Sequence, residues 1–291
     1  MAGCDFSVRE YTYLDTPNDF DLNTFKLAEI EDFQLKIPMM KNIKQNFNQD
    51  IKFFASPWTA PNWMKSNNAS SGRGVLLGKA GDRYHKTWAN YFVRYLEEFS
   101  NNGVDFWAVT MQNEPANGLV TKAKWQETGW TPWAQRDWLK LDLYPALQNS
   151  SVSSVRNTEI IILDDQRVET PWWPKIVLSD GNQDLEKVTG IGLHWYLDDY
   201  FPLKSLDLTH SLFPNKFMLG TEACNKLNGK PATSTLGSWE HGENYSSDIL
   251  DDLNHFVGGW IDWNMALNLD GKPNWAVNSD DSPIIVDANK N

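Results

Sequence analysis

The sequence predicts an α/β fold of the TIM (β/α)8 barrel type, incomplete, with about six of its eight strands present. Three observations predict it. Short apolar, β-branched runs alternate with amphipathic helical stretches along the 291 residues, as parallel strands joined by right-handed crossovers require. No Gly-rich dinucleotide fingerprint follows any of these runs, which removes the main support for an open nucleotide-binding sheet. Chemically active residues also cluster just beyond the C-terminal ends of several different strands, where barrels assemble their sites.

The strands are expected at 51–58, 104–112, 159–166, 188–196, 216–223 and 258–267. Most lack a period-two alternation, as strands buried on both faces should. Between the first two lies a helix whose Trp88, Tyr91, Phe92, Tyr95, Leu96 and Phe99 keep to one face, with Gly103 as its stop signal. A second helix opens at Thr131 and Pro132, an N-cap residue followed by a proline at the first helical position, and Pro145 is expected to kink or end it. A third runs through Tyr245, Ile249, Leu250, Leu253 and Phe256. No linker-like or low-complexity tract interrupts the pattern, so residues 1–291 are read as one partial catalytic barrel.

Composition narrows the chemistry. Lys and Arg total 26 against 38 Asp and Glu, a formal charge of −12, which argues against a nucleic-acid partner because phosphate binding needs clustered cations. Fifteen tryptophans, many beside turn residues, suit the apolar faces of sugar rings as well as core packing. Two cysteines, Cys4 and Cys224, are no disulfide framework and too few for a closed zinc site, and no metal or cofactor is expected. No apolar run is long enough to span a bilayer, and the first residues carry no secretory signal pattern. Asn68, Asn149 and Asn244 each begin a glycosylation sequon in a polar stretch.

Two carboxylates stand out. Glu114 lies in the tripeptide Asn113, Glu114, Pro115, directly after the apolar run 104–111, and Glu222 ends the run 217–222. Two such residues on different strands of one barrel form the pair that glycoside hydrolysis needs, one carboxyl protonated to assist departure of the aglycone and one ionised to attack the anomeric carbon. Spacing along the chain leaves open which plays which part, and whether the outcome is retention or inversion.

The segments 55–63 (ASPWTAPNW), 113–115 (NEP), 163–167 (LDDQR), 194–198 (HWYLD), 222–224 (EAC), 262–268 (DWNMALN), 273–275 (PNW) and 281–287 (DSPIIVD) occur in an order that resembles the animal lysosomal glucosylceramidases of glycoside hydrolase family 30. The resemblance implies a retaining β-glucosidase that splits glucosylceramide into glucose and ceramide, with Glu114 as acid/base after the fourth barrel strand and Glu222 as nucleophile after the seventh. It implies that Asn113 contacts the sugar 2-hydroxyl, that Asp5, Trp58 and Trp263 hold other hydroxyls and the ring face, and that Asn278 sits at the rim. His194, Tyr196 and Gln166 would complete the wall, with Tyr196 suited to donate to the Glu222 carboxylate and keep it ionised. Lipid substrate presented at a membrane surface, a saposin-type activator protein, acidic phospholipid and a lysosomal location belong to the same set of expectations.

His194 also suits a satisfied core position, and Trp63, Trp195 and Trp275 suit packing better than sugar contact. Cys224 reads as a small buried hydrophobe and Cys4 as a free thiol. Two departures from the family's pattern matter. Met111 and Gln112 stand where the family carries an Ala–Glu pair, a change expected to have little effect. The family pattern also has a leader, a small β-sheet region and two barrel strands before the match and a flanking β-sandwich after it. Those are missing here, so the chain is expected to be a fragment.

Overall fold

The structure, a computed structural model, describes all residues except 48–49, 121–122, 228–234, 279 and 291. Six strands form one sheet: β1 (Phe54–Ala55), β2 (Ala108–Thr110), β3 (Glu159–Gln166), β4 (Val188–His194), β5 (Phe217–Glu222) and β6 (Val257–Trp260). Their spatial order is their chain order and every pairing is parallel, so the incomplete (β/α) barrel read from the sequence is the architecture found. Helices lie in each connection, among them Arg83–Asn101, Pro132–Trp138, Trp172–Val177, Lys204–Leu212 and Trp239–Asn254.

The apolar runs pair because both of their faces are covered. Ile160, Ile161, Ile162 and Leu163 of β3 are all buried, as are Val109, Val188 and Ile191, which accounts for the missing alternation. The helix Arg83–Asn101 buries all six aromatic and leucine side chains of its predicted face, starts under an Asp82 side chain that accepts from the Tyr84 and His85 N–H groups, and is followed by Gly103 at φ 83°.

The predicted elements differ from the structure in five places. The runs at 51–58 and 104–112 shorten to two and three residues of regular strand. Hydrogen bonds from Trp107 N–H to Phe53 and from Asn113 N–H to the Pro57 carbonyl nonetheless continue the contact on both sides. The run 258–267 divides: β6 ends at Trp260, Asn264 takes a left-handed φ of 66°, and Ala266–Asn268 (β7) leaves the barrel to pair with Ile284–Val286 (β8). The break turns Trp263 toward the site, where its N–H donates to the Ala223 carbonyl at 2.8 Å.

Pro145 does not end its helix. It opens the segment Tyr144–Gln148 after a widened turn at Leu139–Leu143, because a wider helix accommodates a ring that cannot donate back along the chain. The last helix is rotated from its expected face. Tyr245 and Asp252 face inward while Leu250 and Leu253, 60% and 54% exposed, face solvent.

Candidate active site

The site is built at the C-terminal ends of β2 to β5. Glu114, four residues beyond β2, has φ 44°, a left-handed value that is strained for any side chain with a Cβ. Its N–H donates to the Asp164 carbonyl at 2.8 Å, which holds that turn against β3. His194 ends β4 and Glu222 ends β5, and the two are register partners across the sheet. Parallel pairing thus delivers three titratable side chains to one level: one ligand-type atom from each of Glu114, His194 and Glu222 lies within 4.8 Å of the other two.

The strand β3 supplies the floor through an irregularity. Leu163 and Asp164 both have left-handed φ, 69° and 60°, and the β3–β4 register shifts between Leu163 and Asp165. In a regular strand neighbouring side chains point to opposite faces, whereas this bulge lets Asp164 and Asp165 both end up buried at the site. Gly192 of β4 makes room for it, since a Cβ there would stand 3.1 Å from the Asp164 Cα and 3.0 Å from the Thr221 hydroxyl.

His194 is 1% exposed and lies beneath the cavity, so it is a floor residue and not a piece of the wall. Burial alone would lower its pKa, but Glu222, Asp164 and Glu114 outweigh burial and hold it well above the ordinary value. Its Nε2 lies 3.1 Å from Asp164 and its Nδ1 3.3 Å from Glu114, with a Glu222 oxygen 3.9 Å away. Asp164 also accepts from Thr221 at 2.8 Å and Ser56 at 3.1 Å, and it stays below the usual carboxylate range because His194, Thr110 and Thr221 together overcome its burial.

Glu222 accepts from the Tyr196 hydroxyl at 2.8 Å. Burial pushes its pKa up to about 8; His194 opposes the rise, the Glu114 and Asp5 charges add to it, and Tyr196 opposes it. A neighbouring carboxylate this close makes it harder for Glu222 to ionise. Glu114 in turn accepts from Gln166 at 3.0 Å and from Asn117 at 2.5 Å.

A cavity of about 370 Å³ opens above these groups. Its lining includes Asp5, Trp58, Asn113, Glu114, Gln166, Tyr196, Glu222, Trp263 and Asn278, so every sequence-predicted site residue except the underlying His194 reaches one space. Trp58 and Trp263 stack on each other with centroids 5.1 Å apart and planes at 17°. Asp5, pushed up to about 7 by burial, accepts from Asn278 at 2.5 Å. Gln112 is buried and donates to the carbonyls of Pro57, Trp58 and Asn113, bracing two lining residues.

Sequence reasoning missed Asp164, Asp165, Asn117, Trp125, Lys226 and Asp280. For the two aspartates a signal existed: adjacent acids inside an otherwise apolar run. Trp63 donates to the Leu14 carbonyl, Trp195 to that of Cys224 and Trp275 to that of Cys4, and none of the three lines this cavity. Cys4 and Cys224 are free thiols, and buried Cys224 lies 3.4 Å from the Tyr196 hydroxyl, a polar contact beyond simple packing.

Glu114, His194 and Glu222 lie close enough for each to offer one ligand atom, but both His194 ring nitrogens already face carboxylates, Nδ1 toward Glu114 and Nε2 toward Asp164. A second acidic group, Asp198, Asp248 and Asp252, is likewise provided with a cation, as the Arg167 guanidinium lies 3.1 Å from Asp198 and 4.0 Å from Asp252.

The chain is 48% identical over 291 residues to the lysosomal acid glucosylceramidase of Mus musculus, covering all of this chain and 55% of that protein. It is 27% identical over 262 residues to an endo-1,6-β-D-glucanase of Trichoderma harzianum, covering 86% of this chain and 48% of the fungal protein. The crystal structure of SrfJ from Salmonella typhimurium superposes with a TM-score of 0.84 at 27% identity, over 99% of this chain and 60% of that one. The chain thus spans about half the length of the protein relatives it matches. A family model matches all of residues 1–291, and with the paired carboxylates at the mouth of a parallel barrel it establishes that the chain belongs to the glycosyl hydrolase family 30 TIM-barrel domain.

Proposed function

We propose that residues 1–291 act as one catalytic barrel of a retaining β-glucosidase that hydrolyses glucosylceramide to glucose and ceramide. The observation that carries the mechanism is the approach of Glu114 and Glu222, with an oxygen of each within 4.8 Å. Retaining enzymes hold their carboxyls about 5–5.5 Å apart, while inverting ones need roughly 6.5–9.5 Å to admit a water.

Glu222 attacks the anomeric carbon as the glycosidic bond breaks, and Glu114 gives its proton to the departing oxygen. The glycosyl ester so formed is opened by a water that Glu114 deprotonates, which restores both carboxyls and keeps the β configuration. The Tyr196 hydroxyl and the His194 cation favour the ionised nucleophile. Asn113 is assigned to the 2-hydroxyl, Asp5 and Asn278 to other hydroxyls, and Trp58 and Trp263 to the ring face, while Gln166 steadies Glu114.

A lipid aglycone is supported by the similarity to the mouse enzyme and by Leu197, an apolar side chain 39% exposed that lines the cavity. With that substrate go a membrane surface, a saposin-type activator, acidic phospholipid, a lysosomal location and a role in sphingolipid metabolism. Asn68, Asn149 and Asn244 are exposed and fit glycan attachment. A second reading, hydrolysis of a β-1,6-linked glucan, rests on the fungal relative.

The test is hydrolysis of glucosylceramide in detergent with acidic phospholipid, beside β-1,6-glucan and aryl β-glucosides, followed by labelling with a slow fluorosugar. Glucosylceramide turnover with the label on the Glu222 peptide is expected; glucan turnover alone would favour the second reading, and a label elsewhere would overturn the assignment.

A further inference from the structure

The geometry points to Asp165 as a positioning residue that fixes the orientation of Glu114 for proton delivery to the departing oxygen. This deepens the glycosidase reading above and rests on it. Asp165 is 1% exposed and does not line the cavity, so it cannot meet substrate. Its carboxylate instead holds both segments that hold Glu114. One oxygen accepts the Ala116 N–H at 3.0 Å, gripping the chain two residues beyond Glu114. The other accepts the Gln166 N–H at 2.8 Å, and the Gln166 side chain donates to Glu114 Oε1 at 3.0 Å.

The grip has something to hold against. Glu114 is kept at φ 44°, a conformation that relaxes unless its surroundings enforce it. Asp165 is also a buried carboxyl beside another carboxyl. Burial and then the Glu114 charge push it up to about 7, so it occupies this place at an electrostatic cost that its two N–H bonds partly offset.

An amide cannot reproduce the contact. Asparagine in this place accepts one of the two N–H groups and presents its own N–H to the other, which releases either Ala116 or Gln166. A misaimed acid harms only substrates that need it, since an activated phenolate departs with little protonation.

The test compares Asp165→Asn with wild type by kcat/KM, which reports events up to glycosylation, on 2,4-dinitrophenyl β-glucoside and on an alkyl β-glucoside, with thermal melts of both proteins. A loss of about 10- to 100-fold on the alkyl substrate, with less than about threefold on the dinitrophenyl one, is expected. Equal losses on both, or no loss on either, would overturn the proposal. Should Asp165→Asn not fold, Asp165→Ser keeps one acceptor in a smaller volume and carries the same comparison; if that also lacks a cooperative melt, Asp165 belongs to the fold and the proposal fails. Wild-type turnover of the dinitrophenyl substrate tests the glycosidase reading itself, while the variant-to-wild-type ratios test Asp165, so the two fail separately.

Discussion

Glu114 and Glu222 illustrate what a single residue can reveal before any fold is known. Each is a carboxylate at the end of an apolar run, a local pattern, and parallel pairing brings such ends together whatever the loops do. Their assigned roles predict different losses. Glu222→Gln removes the assigned nucleophile, so turnover of every glucoside should fall by at least about a thousandfold, measured with activated and natural substrates alike. Glu114→Ala should cost about 10² to 10⁴-fold on a poor leaving group and far less on an activated one, and azide should restore rate as a β-glucosyl azide. Equal loss on both without azide rescue would reverse the assignment. Asp164 and Asp165 stood out at this scale only as adjacent acids; their convergence on the site depends on a backbone irregularity that residue types do not announce.

At the scale of elements, legibility followed how far an element's neighbours resemble the average protein interior. The helix Arg83–Asn101 packs an apolar face on an apolar sheet, and its pattern named that face correctly. Trp239–Asn254 instead turns Asp248 to the Trp260 indole N–H at 2.8 Å and Asp252 toward Arg167, so polar partners set its rotation and the leucine stripe faces out. Strand β3 shows the same limit, because its hydrophobic content marks a strand but not the bulge within it. That bulge yields a prediction. Gly192→Ala places a methyl 3.0 to 3.2 Å from Thr221 and the Asp164 backbone, atoms with little freedom to retreat. The substitution should destabilise by about 1–3 kcal/mol and lower turnover by moving Asp164 from His194. A denaturant titration checks the first and kcat the second; full activity with unchanged stability would show that the β3–β4 packing does not support the site.

For the molecule as a whole, buried carboxyls make a claim about pH that no single group settles. Asp5, Asp165 and Asp252 are pushed up to about 7, and Asp198 and Glu222 to about 8, each chiefly by burial. In the unfolded chain such groups titrate near 4. Between those limits the folded state binds more protons than the unfolded one, so stability from these groups is complete below about pH 4 and lost as pH rises through about 7 to 8. His194, raised well above its ordinary value, acts in the same direction. Asp164, Asp19 and Asp82 are lowered and act oppositely, weakening the fold as pH falls below about 4. The formal charge of −12 adds self-repulsion on the alkaline side. The protein should therefore be most stable near pH 5, with a melting temperature at least about 5 °C higher there than at pH 8. Melts at constant ionic strength across pH 4 to 9 measure this. A curve that rises toward pH 8 would mean that the buried carboxyls are ionised in the folded state, with Arg167 and His194 outweighing the cost of burial.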